Sequence, residues 1–361
     1  MIEEVKAALA IAIQVGQPTL LWGAPGEGKT SIVEEVGSSL RRPVEVVIGS
    51  LREASDFVGI PMRTDAGVCF APPAWALRCV DSPETILFLD ELTTADVTVQ
   101  SAMMRVIHER VCGELVLPTT VAIVSAANPP DSAIGGSDLA APLANRFLHL
   151  DFEATVDEWV AGMLNGWSPG VLPMVKAFRD AEEARWRSMV VSFIRHRPEL
   201  LRKVPARTDQ QGRAWPSPRT WDQAARVAAA AESADSSAKV LMLLVSGLVG
   251  DGAGMEFLQF VRKCDLQDPE TLLRSPELFD STRRTDFVIT ALKGVTDAVA
   301  ANCTRARWDA AWVLVEATCV AGNLDVAAMP AMDLMRCRGE EWAVPRTIRY
   351  FNELFQESRI G

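Results

Sequence analysis

Gly23-Ala24-Pro25-Gly26-Glu27-Gly28-Lys29-Thr30 has the form GxxxxGKT and sits between an apolar tetrapeptide, Thr19 to Trp22, and a helix-like segment from about Thr30 to Leu40. Strand, glycine loop and helix is the context that gives this spacing chemical meaning. Gly23, Gly26 and Gly28 let the backbone curl until its N–H groups face phosphate oxygens. The helix behind the loop adds its positive end. Lys29 places a point charge on the β- and γ-phosphates, and the Thr30 hydroxyl is a Mg²⁺ ligand. With Ala24, Pro25, Glu27 and Ser31 these residues make up the candidate nucleotide cradle. Alone, the loop implies ATP or GTP and little more.

Outward from the loop, residues 3 to 15 carry Val5, Leu9 and Ala12/Ile13 on one helical face. Short apolar runs at Val44 to Ile48, Thr85 to Leu89, Val121 to Ser125 and Phe147 to Phe152 read as four further strands. Helical segments separate several of them, which predicts an α/β fold with a parallel five-stranded sheet covered on both faces. After Phe152 the strand signals stop. Helices are expected at 155 to 165, from Ser217 with Pro218 in the first turn, at 237 to 249 and at 253 to 263. Two more carry Phe287, Leu292, Val295 and Val299, then Trp308, Trp312, Val315 and Cys319. The stretch from Pro169 to Gln211 has no clear period beyond room for one helix. The expected divisions are an α/β nucleotide-binding domain at 1–152, a helical lid at 153–265 and a helical C-terminal region at 266–361. Trp308, Trp312, Trp342 and Phe351 fit a core or a docking face, with helical spacing favouring core.

Four more features carry chemistry. Ile86-Leu87-Phe88-Leu89-Asp90-Glu91 buries a strand and leaves two carboxylates at its C-terminal end, the edge where parallel sheets bind ligands. Asp90 would hold Mg²⁺, through water, and Glu91 would orient and polarise an attacking water. Asn128, after the fourth strand, could hold that water or the γ-phosphate; an asparagine before proline is equally an ordinary turn. Arg146, in Asn145-Arg146-Phe147, reads evenly as an arginine finger or as a surface arginine in a salt bridge. Arg219, in Ser217-Pro218-Arg219-Thr220, opposes the helix dipole in its first turn, which slightly favours a phosphate-sensing role over an ordinary exposed arginine.

Bulk composition narrows the classes. The 361 residues are 48% hydrophobic and 23% charged, so the chain as a whole is not disordered. The net charge of −11 makes long nucleic acid an unfavoured partner. The basic stretch holding Arg195, His196, Arg197, Arg202, Lys203, Arg207 and Arg213 reads as a solvated, mobile face. Seven cysteines without a CxxC or zinc spacing suggest scattered thiols in a reducing compartment. No leader pattern or membrane-length apolar run is present, and a cytoplasmic location is expected.

Taken in order, these motifs resemble the AAA+ ATPases, and the details resemble the MoxR branch. Asp56-Phe57-Val58-Gly59 and Gly67-Val68-Cys69-Phe70-Ala71-Pro72-Pro73 are similar to a segment of that branch, although the last three lack its usual glycine. Gln100-Ser101-Ala102, Glu109-Arg110 and a hairpin-like stretch from Val111 to Pro118 also match. Asn145 stands where the family usually has an acidic residue before Arg-Phe, and Ser217-Pro218-Arg219 matches its second sensor. The resemblance covers about residues 1 to 265. It implies ATP and Mg²⁺ bound between the α/β domain and the lid, with Glu91, Asn128, Arg146 and Arg219 as catalytic residues. It also implies a ring, usually a homohexamer, in which Arg146 reaches the neighbouring subunit's site. The segments at 51 to 75 and 111 to 118 would be insertions that line a pore or meet a partner. A protein client or a partner with a von Willebrand factor A domain is implied, in a chaperone-like or cofactor-inserting task. The alternatives are a nucleic-acid-stimulated ATPase, such as a helicase or loader, and a slow nucleotide-gated scaffold.

Overall fold

The computed structural model describes residues 2–351 apart from 66, 130–138, 166, 168, 169, 177–179, 264–268 and 284. The chain divides into two compact units. One comprises 1–177 and 200–255; the other comprises 178–199 and 256–361.

The first unit is built on strands β1 (Thr19–Trp22), β2 (Val44–Ile48), β5 (Ile86–Asp90), β8 (Ala122–Ala127) and β9 (Leu148–Asp151), in the order β2-β5-β8-β1-β9. All pairings are parallel; Leu20 faces Ser125 and His149, and Ile48 faces Asp90. The central strands β1 and β8 are buried along their whole length, as two-sided cover demands. Helices α1 (Ile2–Gln14), α2 (Lys29–Leu40), α3 (Ser55–Val58), α4 (Ala74–Asp81), α5 (Val97–Glu109) and α6 (Ala141–Ala144) complete this part. A core of Leu20, Val47, Phe57, Trp75, Leu87, Leu89, Met103 and Phe147 lies under one face of the sheet. The helix at 3–15 and all five strands thus stand within about three residues of where periodicity places them.

Two hairpins interrupt the pattern. β6 (Val111–Cys112) pairs with β7 (Leu115–Val116) where a hairpin was expected. β3 (Ile60–Thr64) pairs with β4 (Gly67–Ala71), an antiparallel hairpin that the sequence did not announce. Every residue of β3 is exposed, so it lacks the alternation that marks a half-buried strand.

No strand follows Asp151 among the described residues. In the first unit come α7 (Val156–Asn165), then, beyond α8 (Asp180–His196) of the other unit, α9 (Thr208–Gln211), α10 (Pro218–Ser233) and α11 (Ala238–Val249). α10 and α11 pack on each other and on α1, and α11 also packs on β9. α12 (Asp251–Lys263) runs across the division between the units.

The second unit adds α13 (Pro269–Arg274), α14 (Thr285–Ala301), α15 (Arg305–Val320) and α16 (Leu324–Arg336) to α8. Trp308, Trp312, Val315, Leu292, Val295, Leu334 and Phe351 share a buried core, with Trp342 packed against it, so the C-terminal aromatics are core rather than face. The six described cysteines are free thiols. Among the described residues no helix is long and apolar enough to cross a membrane.

Candidate active site

Parallel pairing and the strand order lay the C-terminal ends of β2, β5, β8 and β1 along one edge of the sheet. That edge carries Ser50, Asp90, Glu91, Asn128 and the octapeptide after Trp22. Gly26 and Gly28 have φ of 88° and 89°, left-handed values that only glycine adopts without strain. Gly28 is the N-cap of α2, so the loop turns directly into the positive end of the helix. Gly23 is required for a different reason: a Cβ there would stand 2.6 Å from the carbonyl oxygen of Phe152. Glu27 ties the loop to the chain beyond β9, its carboxylate accepting from Ala154 N at 3.3 Å. Ala24 is half-buried, and Pro25 and Ser31 are exposed.

Lys29 donates to the Gly23 and Ala24 carbonyls at 2.8 and 3.0 Å and to Asn128 Oδ1 at 2.8 Å. Burial holds the ammonium below its ordinary pKa; Asp90, Glu27 and Glu91 pull the other way. The Lys29–Asn128 bond brings the loop and the end of β8 together, and Thr93 fixes the Asn128 carbonyl with a hydroxyl at 3.3 Å.

Asp90 uses both carboxylate oxygens. Oδ2 accepts from Thr30 Oγ1 at 3.1 Å and Oδ1 from the backbone N–H of Glu91 at 2.8 Å. Glu91 itself has φ of 57°, a strained value for a non-glycine residue. Its carboxylate accepts a hydrogen bond from the Ser50 hydroxyl. Ser50 escaped the sequence reading. Its only signal is its place, two residues beyond a strand end that the register sets beside Asp90.

Arg146 and Arg219 make no hydrogen bond to that cluster among the described residues. Arg146 donates to Pro142 O at 2.5 Å, and its buried Nε has no partner among the described residues. Burial and then the positive charge of Arg219 lower its pKa. Arg219 is exposed on the first turn of α10. No hydrogen bond joins either guanidinium to the glycine loop among the described residues.

A cavity of 640 Å³ opens beside Gly26 to Gly28, walled by Ile2, Ile32, Phe152, Trp159 and Trp167, with Lys6 and Glu35 on its floor. Lys6 is buried, and its ion pairs with Glu35 at 2.6 Å and Glu3 at 3.1 Å outweigh burial and raise its pKa. A Cβ on Gly162 would meet the Trp167 ring at 2.5 Å, so that glycine is what lets the indole lie on α7.

The residues present suit a magnesium nucleotide. Thr30 Oγ1 and Asp90 Oδ2 are two hard oxygen donors 3.1 Å apart, the kind Mg²⁺ takes. Beside them stand a left-handed glycine loop, a helix N-terminus and one lysine, the cradle that triphosphates require.

Comparison with known proteins agrees at the level of the domain. The family model for the AAA domain (dynein-related subfamily) matches residues 18–147. No curated protein matches the chain by sequence. Among solved structures, a presumed ATPase from Cytophaga hutchinsonii is 16% identical, with a TM-score of 0.46 over 72% of this chain and 92% of that one. A full-length MCM homolog from Methanopyrus kandleri is also 16% identical, with a TM-score of 0.42 over 68% of this chain and 56% of that one. Residues 18–147 match the AAA domain, and the chain that carries them is a P-loop ATPase.

Proposed function

We propose that this chain is an AAA+ ATPase of the MoxR-like type that works in a ring, most simply a homohexamer, and spends ATP on remodelling a protein client or inserting a cofactor into it. The observation that supports it most is the hydrogen-bonded set Lys29, Thr30, Asp90, Glu91 and Asn128, closed at one sheet edge, with Arg146 and Arg219 bonded to none of it among the described residues. The Arg219 charge disfavours that of Arg146, and a phosphate presented by a neighbouring copy would offset both.

In this reading the base occupies the cavity beside Trp159 and Trp167, and the triphosphate competes with the Gly23 and Ala24 carbonyls for Lys29. Thr30 and Asp90 hold Mg²⁺, which when bound neutralises charge on the β- and γ-phosphates. Glu91 orients the attacking water, and Ser50 restrains the Glu91 carboxylate until nucleotide is in place. Asn128 holds the γ-phosphate side of the site. Of the helices expected as a lid at 153–265, those of the nucleotide unit, α7 and α9 to α11, act as one, and 266–361 is a helical C-terminal part. A von Willebrand factor A domain protein is a candidate partner, and the site of action is the cytoplasm.

Mixing two inactive variants tests the shared site. Lys29→Ala subunits should bind ATP poorly, and Arg146→Ala subunits should bind it with little turnover. The mixture should regain ATPase activity, because one copy supplies the arginine that the other lacks. A mixture as inactive as its parts sinks the ring reading.

A further inference from the structure

The turn that carries Arg146 is anchored on both sides by buried polar groups that the reaction itself does not use. Asn145 is 7% exposed. Its Nδ2 donates to Trp215 O at 3.1 Å, and its Oδ1 accepts from Ser217 Oγ at 2.8 Å. Ser217 is no ordinary surface hydroxyl. It caps α10 by accepting from Thr220 N at 3.2 Å, and Thr220 Oγ1 returns the favour by accepting from Ser217 N at 2.8 Å. The amide of Asn145 therefore ends on the cap of the helix whose second residue is Arg219. Both of its ends are satisfied, which is the condition for burying an amide without penalty.

The other anchor runs to the strand before the glycine loop. Trp22 Nε1 donates to His149 Nδ1 at 2.9 Å, which leaves the ring proton on Nε2, and Nε2 donates to Ala144 O at 2.8 Å. The Arg213 guanidinium covers the Trp22 ring at 4.1 Å and pairs with Asp151 at 2.6 Å. Residues 144 to 146 are thus tied to the last residue of β1 on one side and to the start of α10 on the other.

We propose that Asn145 is a positioning residue: it clamps the Arg146 turn to the Ser217 cap of α10, so that Arg146 and Arg219 are presented as one rigid pair. The clamp holds the turn of Arg146 to the first turn of α10 despite the like charges that the two segments carry. Without it, repulsion and the exposure of Arg219 would let them separate. The inference rests on the proposed roles of the two arginines, and its test keeps the two apart.

The test measures steady-state ATPase activity, nucleotide binding by a fluorescent ATP analogue, and thermal unfolding of the full chain. Asn145→Ala should lower kcat by roughly ten- to a hundredfold, the scale of a small misplacement, with KM for ATP and analogue affinity within about twofold. In a chain already carrying Arg146→Ala and Arg219→Ala, adding Asn145→Ala should cost nothing further. Ser217→Thr, which keeps the hydroxyl, should retain activity, while Ser217→Ala should follow Asn145→Ala. The serine pair decides the matter if Asn145→Ala does not fold. Loss of activity that multiplies with the arginine losses overturns the proposal, as does a normal kcat in Asn145→Ala or in Ser217→Ala. If Arg146→Ala and Arg219→Ala themselves leave turnover unchanged, the reading of the arginines has failed and the positioning role falls with it. If they abolish turnover and Asn145→Ala leaves kcat at the native value, the positioning role alone is refuted.

Discussion

Lys29 and Glu91 divide binding from chemistry. Among the described residues Lys29 is the one side chain bonded to both the glycine loop and Asn128, and a triphosphate needs its charge. Lys29→Ala should weaken ATP affinity by at least about tenfold, since charge-assisted bonds of roughly 1.5–3 kcal/mol are lost. Glu91→Gln should leave affinity within about threefold and cut kcat by roughly 10²–10⁴, the usual worth of a general base. Isothermal titration and a phosphate-release assay would separate the two; a Glu91→Gln chain with normal turnover would remove Glu91 from the mechanism. His149 gives a pH prediction. Burial is the main cause of a pKa lowered from 6.5 to about 4, opposed by its bond to Ala144 O and aided by Arg213. Its folded pKa is below its unfolded one, so its contribution is complete above about pH 6.5 and fades as pH falls toward 4. The loss is of order 3 kcal/mol across that window. Melting temperature should fall more steeply from pH 7.5 to 5 in the native chain than in His149→Gln; equal slopes would refute it. Lys29, Thr30, Asp90 and Glu91 were legible because the groups that define them are neighbours in sequence. Ser50, Asn145 and His149 were not, because their partners lie 41, 72 and 127 residues away.

Elements were legible wherever burial imposes a period. β1, β5 and β8 are runs of buried residues between breakers, and α10 announces itself by Ser217, Pro218 and Thr220. The β3–β4 hairpin was not, because Ile60, Met62, Val68 and Phe70 are 40–66% exposed and Pro61 sits inside the first strand. Such a hairpin is fixed by its pairing and by contacts with the turn between β6 and β7, which local composition does not report. The glycine loop permits a sharper forecast at this scale. Gly28→Ala puts a side chain at φ of 89° with nothing within 4 Å, so its cost is backbone strain alone, about 1–2 kcal/mol. Gly23→Ala instead drives a methyl into the Phe152 carbonyl at 2.6 Å and must move β9's exit or the loop. Thermal unfolding should therefore show Gly23→Ala as the more destabilised chain, with the larger loss of nucleotide affinity. The reverse order would mean that the loop, and not the strand crossing behind it, is the rigid part.

At the scale of the molecule, sequence order and packing part company. Residues 178–199 precede the second half of the nucleotide unit in the chain, yet α8 packs with α14 and belongs to the C-terminal unit. The buried face of α8 presents Trp186, Met189 and Phe193. Phe193 meets Phe257 and Phe260 edge-on or tilted, and Ser192 bonds to Thr290. Periodicity could not reveal this, since an amphipathic helix shows that it has a buried face and not what covers it. The consequence is a prediction about truncation. Removing 266–361 takes away the whole core built on Trp308, Trp312 and Leu292 and uncovers α8. The glycine loop, Asp90, Asn128 and the cavity beside Trp167 all belong to the other unit. Nucleotide affinity of such a chain should stay within about threefold of the intact protein, on the two-unit logic of independent cores. Its surface should at the same time bind a hydrophobic dye and self-associate, because exposed apolar patches of this kind do. Removing 178–199 and 256–265 as well, with a short linker in place of the first, should abolish the dye binding and leave affinity unchanged. Loss of ATP binding in a folded truncation would show instead that the C-terminal unit contributes to the site.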